Sequence, residues 1–141
     1  METKSKIYCR DVLASRAASG VARSAVRDVL LGLGYPHAVG DAQLIIAEMV
    51  NNAIAVSPPD STIRIFVGFR PLGLVVAVWD GDSRMPQRRP AAGVTLRTLD
   101  LRPENFDRNG GWGLALIEAL ARRAWLEHAV TGKWVCALLN V

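Results

Sequence analysis

The segment from Asp41 to Ser57, DAQLIIAEMVNNAIAVS, reads as an apolar helix carrying one carboxylate and two carboxamides. Pro58-Pro59 must end it, because proline cannot continue a helical hydrogen-bond ladder. Leu44, Ile45, Met49, Ala53 and Val56 recur at helical spacing and mark a face directed at a core. Glu48 and Asn52 lie four residues apart and project side by side, an arrangement that can hold a hydrated cation. Taken alone, the pair reads more readily as a solvated polar stripe on an amphipathic helix. The choice between these readings depends on what the rest of the chain supplies.

At 141 residues the chain can bury one core and is read as a single domain over 1–141. Half the residues are hydrophobic and 21% charged, the balance of a globular chain. No apolar run approaches the roughly 20 residues that cross a bilayer. Arg10 and Asp11 interrupt the apolar stretch after the basic amino terminus, so no secretory leader is read, and the expected location is cytoplasmic with no membrane partner. Cys9 and Cys136 form no CxxC pair and have no His at ligand spacing, so both read as reduced core thiols. The formal charge is +4 and the pI near 9.6. Because Arg and Lys are dispersed, with short clusters at Arg88-Arg89 and Arg122-Arg123, direct nucleic-acid binding is not expected. The same charge suits nucleotide phosphates or an acidic protein partner.

Ile7 to Leu13 is rich in β-formers and reads as an edge strand. Ser19 is a candidate N-cap for a helix over about residues 20–33, with Val21, Ala22, Ala25, Val26, Val29, Leu30 and Leu33 in phase until Gly34 and Pro36. The Asp41 helix follows, opened at Gly40-Asp41. Thr62 to Phe69 alternates as a half-buried strand, and Leu74 to Trp79 reads as a central strand that stops at Asp80-Gly81-Asp82. Residues 82–109 have no regular pattern, and a loop of that length within a compact domain is usually functional or disordered. A helical pattern opens at Gly110-Gly111-Trp112-Gly113, and Trp125–Val130 and Lys133–Val141 read as a closing hairpin about Thr131-Gly132. The expected fold is α+β, a two-layer sandwich of mixed, mostly antiparallel sheet with helices on one face.

Glycines at a helix start suit an anion, because free N–H groups and the positive end of the helix dipole converge there. Gly111 and Gly113 by themselves are equally well explained by an ordinary turn, and neither a Walker A loop nor a GxGxxG fingerprint occurs. The order of three signals carries more: ExxxN on a helix, DG after an apolar strand, and GWGL opening a later helix. In this order AEMVNNAIAVS, WDGDSRMP and NGGWGLALIEALA resemble the N, G1 and G2 boxes of the Bergerat-type ATP-binding domain of the GHKL superfamily. The resemblance is strongest to its small bacterial branch, the anti-sigma-factor serine kinases, and spans most of the chain.

The resemblance implies ATP and Mg²⁺ as cofactors, with Asn52 a metal ligand and Glu48 the catalytic carboxylate that orients or deprotonates the attacking group. It implies that Asp80, beside Gly81, accepts a hydrogen bond from the adenine amine. Gly111, Trp112, Gly113 and Leu114 would hold phosphates through backbone N–H groups with the Trp112 side chain turned away, and residues 83–110 would form a lid. Lys133 falls where the family often places a GK or GT pair, and Asn51 is a neighbour of the metal ligand. One departure is Asp82, an acid where the DxGxG pattern has glycine. His37 and His128 read as surface or packing residues. No helical hairpin bearing a phosphoacceptor histidine is read, so the resemblance implies a partner-switching kinase. Its expected reaction is phosphorylation of a Ser or Thr on a small anti-sigma antagonist, with a sigma factor as competing partner, and the apolar first helix permits homodimerisation. The alternatives are a nucleotide-binding switch without phosphoryl transfer and a basic adaptor that binds no nucleotide.

Overall fold

The computed structural model describes residues 7–82 and 112–141. In chain order these form β1 (Ile7–Leu13), α1 (Ala17–Leu33), a short 3-10 turn (Pro36–Ala38), α2 (Val39–Val56), β2 (Thr62–Arg70), β3 (Gly73–Asp80), α3 (Trp112–Leu120), β4 (Arg123–His128) and β5 (Lys133–Leu138). The strands make one five-stranded sheet in the order β1-β2-β3-β5-β4, and all four pairings are antiparallel. The expected mixture of strand directions therefore resolves, among the described residues, to an antiparallel sheet.

Alternation along the strands divides the sheet into two faces. Ile63, Ile65 and Val67 of β2, Leu74, Val76 and Val78 of β3, and Val135 and Ala137 of β5 join Val26, Leu30, Ile45, Ile46, Met49, Val50 and Ile117 in the main core, so the helices lie on this side. On the other side Val75, Ala77, Cys136 and Leu138 pack with Phe66, Trp125 and Trp134. Glu127 organises the rim of that face, accepting hydrogen bonds from Arg70 and from Trp125 Nε1, each at 2.8 Å. β1 is an edge strand as expected, but edge placement leaves Cys9 exposed, which corrects its reading as a core thiol; Cys136 is buried.

Helix α1 begins at Ala17, two residues before Ser19, with Arg16 at the N-cap position and no side-chain cap, so Ser19 lies inside the helix. Its end is as the sequence requires. Gly34 adopts φ 87°, its N–H closes on Leu30 and Leu31 carbonyls, and Tyr35 N–H bonds to Leu30 O at 2.8 Å. Helix α2 also starts earlier than Gly40-Asp41, with Asp41 in its first turn, where an acid meets the positive end of the dipole. Ser57 leaves the helix in an extended conformation ahead of Pro58, and its hydroxyl returns to Ala53 O at 2.6 Å.

The buried stripe of α2 is Ala42, Ile45, Ile46, Met49, Val50 and Ala53. Leu44 and Val56, read from spacing as core positions, are exposed. Helical periodicity allows several overlapping stripes on a helix this apolar, and the sheet and α1 select the one centred on Ile46 and Met49. Replacing Ile46 with Ala removes contacts on every side and is expected to lower unfolding stability by about 2–5 kcal/mol. Leu44→Ala should cost no more than about 0.5 kcal/mol. Urea unfolding of the two variants checks this, and equal losses would contradict the stripe.

Candidate functional site

β3 delivers Asp80 to the end of the sheet at the point where its alternation points the side chain toward the helix layer, following Leu74, Val76 and Val78. The α2 end lies alongside: a cleft of about 750 Å³ is bordered by Val56, Ser57, Thr62, Trp79, Gly81 and Asp82. Asn52 sits one turn before that end and is half-buried, Asn51 is exposed, and Glu48 is buried a further turn back.

Asp80 and Lys133 are cross-strand partners in the β3–β5 register and form an ion pair, Nζ to Oδ1 at 2.9 Å, with both side chains almost wholly inaccessible. Lys133 Nζ also donates to Asp82 O at 2.6 Å, and Asp82 N–H donates to Asp80 Oδ1 at 2.9 Å. The turn that carries Lys133 lies directly on this strand end. Gly132 has φ 73°, and a Cβ there would stand 2.0 Å from Asp80 O, so only glycine permits the approach. Trp79 reinforces it through Nε1–H to Thr131 O at 2.9 Å. Residue type and order pointed to Asp80 and Lys133 separately. They did not show the two charges in contact, the backbone of Asp82 as the third member, or the requirement for Gly132, whose sequence signal was a hairpin turn like many others.

Glu48 has a different environment. It is 8% exposed, and among the described residues its Oε2 is the buried side-chain polar atom that lacks a hydrogen-bond partner. Desolvation among the apolar neighbours of α2 pushes its carboxyl up to about 7. A carboxylate held unpaired in the helix layer costs stability and is poised to exchange a proton near neutral pH. Asn52, on the same face one turn on, contributes an amide oxygen and two N–H donors.

The remaining sequence-derived candidates are placed only in part. Gly81 follows Asp80 and lines the cleft. Trp112, Gly113 and Leu114 open α3, whose C-terminal half packs beneath α2 in the main core. Gly111 and the lid segment 83–110 lie outside the described residues. His37, in the 3-10 turn, meets the Tyr35 ring edge-on, and exposed His128 ends β4. No group of three or more His, Cys, Asp or Glu able to hold a metal occurs among the described residues, nor is any described helix long and apolar enough to cross a membrane.

Two outcomes follow from this geometry. Because the folded chain holds a proton on Glu48 that the unfolded chain releases near 4.5, stability is greatest below that value and falls as pH rises through about 7. Glu48→Gln removes the penalty, so its melting temperature should exceed that of the parent at pH 8, by an amount corresponding to about 2 kcal/mol, and converge with it near pH 4.5. Thermal unfolding across pH 4.5–8 measures this, and a constant offset would contradict it. Gly132→Ala should lower stability by at least about 1–3 kcal/mol in the same assay, since both its φ and its Cβ conflict with the fold.

No curated protein matches this sequence. Among solved structures the fold is similar to that in the crystal structure of the RsbU and RsbW domains of Rv1364c from Mycobacterium tuberculosis, at 21% identity and a TM-score of 0.59. The match covers 92% of this chain and 31% of that one, so the chain spans under a third of the solved protein and the likeness concerns the fold. The histidine kinase-like ATPase domain family matches residues 10–138, from within β1 to the last residue of β5. The GHKL resemblance carried by the three motifs and the antiparallel α+β fold agree with that match, and the chain belongs to the histidine kinase-like ATPase domain family.

Proposed function

We propose that this chain binds ATP with Mg²⁺ between the end of β3 and the C-terminal half of α2, and acts as a protein serine/threonine kinase toward a small anti-sigma antagonist. The carrying observation is Glu48: a buried carboxylate whose Oε2 has no hydrogen-bond partner among the described residues, pushed up to about 7, one helical turn from half-buried Asn52. Packing alone would place an apolar residue there, whereas a general base needs that protonation range.

The residues present fit the cofactors. Mg²⁺ is a hard cation that is commonly held by one or two protein oxygens together with substrate phosphates, which suits a site with Asn52 and no multi-carboxylate cage among the described residues. When bound, Mg²⁺ would neutralise charge that develops on the transferred phosphoryl group. Asn52 would hold the metal through its amide oxygen and fix the phosphates relative to α2. Glu48 would accept the proton of the attacking hydroxyl, and its low-dielectric surroundings would keep water from competing for the carboxylate. Asp80 would accept the amine of the base, while Gly111, Trp112, Gly113 and Leu114 would bring backbone N–H groups to the phosphates, with the dipole of α3 adding to their field. The sigma factor as competing partner, and a homodimer as the working assembly, belong to this reading through the GHKL resemblance.

A second reading, a nucleotide-binding switch without phosphoryl transfer, is favoured by one feature: the carboxylate offered to the base is already bound to Lys133. Glu48→Gln separates the two. Under the kinase reading it keeps Mg-ATP binding in calorimetry and loses about 10²–10⁴-fold in transfer of labelled phosphate to the co-purified antagonist. Parent protein that binds Mg-ATP and labels no partner establishes the switch. Asn52→Ala and Asp80→Asn are each expected to abolish the binding heat, and a parent chain with no heat at high Mg-ATP overturns both readings.

A further inference from the structure

The ion pair at the end of β3 occupies one oxygen, Oδ1, of the carboxylate that the nucleotide reading assigns to the base. Asp80 and Lys133 are 2% and 3% exposed, so neither charge is satisfied by solvent. Oδ1 of Asp80 accepts from two donors at 2.9 Å, the Lys133 ammonium and the Asp82 backbone N–H. The ammonium is in turn anchored by Asp82 O at 2.6 Å. Its backbone is held by the β3–β5 register, by Gly132 pressed against Asp80 and by the Trp79 bond to Thr131. An amine approaching Asp80 therefore meets a positive group that is already desolvated and hydrogen-bonded there.

We propose that Lys133 is an internal competitor for the base: its ammonium stands in for the purine amine at Asp80 and sets nucleotide affinity by having to yield Oδ1. Lys133 then weakens binding while stabilising the empty site. Two effects of opposite sign follow from one group. Without the ammonium, the buried Asp80 carboxylate has lost its counter-charge and the empty fold is less stable. A base amine that restores a donor to that carboxylate then binds with more, not less, free energy. A lysine whose role is to donate to the base would behave the other way, its removal weakening binding.

The inference rests on the nucleotide reading and is tested apart from it. Lys133→Met keeps the apolar stem and removes the charge, and Lys133→Arg keeps the charge. Calorimetry with Mg-ATP, and with adenosine to probe the base pocket without phosphates, should show binding tightened roughly tenfold or more in K133M, a shift of about 1.4 kcal/mol, with little change in K133R. Thermal unfolding of the empty protein should show a lower Tm for K133M. If K133M does not fold, Lys133→Leu, which also removes the donor, serves in its place and should also bind more tightly than the parent. Parent protein that binds Mg-ATP while the neutral variant binds equally or more weakly overturns the competitor and leaves the nucleotide reading intact. Absence of Mg-ATP binding in the parent overturns both, whatever the variants do.

Discussion

The burial of α2 governs the rest of the molecule. Ile45, Ile46, Met49 and Val50 are at most 1% exposed, held between α1, α3 and the helix-facing side of the sheet. A helix packed on several sides cannot turn about its axis to give Glu48 to water without exposing that stripe, and each of those side chains contributes roughly 1.5–3 kcal/mol by being buried. The carboxylate is therefore kept in a low-dielectric position by packing interactions much larger than its own desolvation penalty. Its raised protonation range is a consequence of that burial.

The two charged features at the site solve opposite physical problems. Asp80 is deeper than Glu48, yet its charge is matched by Lys133 across the β3–β5 ladder, with the Asp82 backbone satisfying both partners. Deleting one member of a buried pair generally costs about 3–5 kcal/mol, because it leaves the other charge buried and unpaired. Glu48 Oε2 is left without a hydrogen-bond partner among the described residues. In the proposed function this contrast assigns a binding role to the sheet end and proton transfer to the helix, with Asn52 one turn along α2 from Glu48.

The legible part of the fold was local. Gly34 in the left-handed region, Pro58 after an extended Ser57 and the alternation of Ile63, Ile65 and Val67 were each imposed by one residue's conformational range or by a period of two. Starts were less legible than stops: α1 has no side-chain cap, so Ser19, a favourable capping residue, is absorbed into the helix. Leu44 and Val56 are exposed for a related reason. Apolarity around most of α2 leaves periodicity unable to choose the inward stripe, and Cys9 was exposed because strand order, which no local pattern encodes, put β1 at the edge.

By itself the sequence determined the family, through the order of its N, G1 and G2 boxes, and the alternation of helices and strands that makes an α+β sandwich. It also named Glu48, Asn52, Asp80 and Lys133 as the residues to inspect. Only the tertiary structure decided their states. Whether a carboxylate is charged, neutral or paired depends on what approaches it from distant parts of the chain: apolar side chains of the helix layer at Glu48, and an ammonium 53 residues away at Asp80. Those approaches are set by strand register and by the missing Cβ of Gly132, long-range geometry that residue spacing along the chain does not contain.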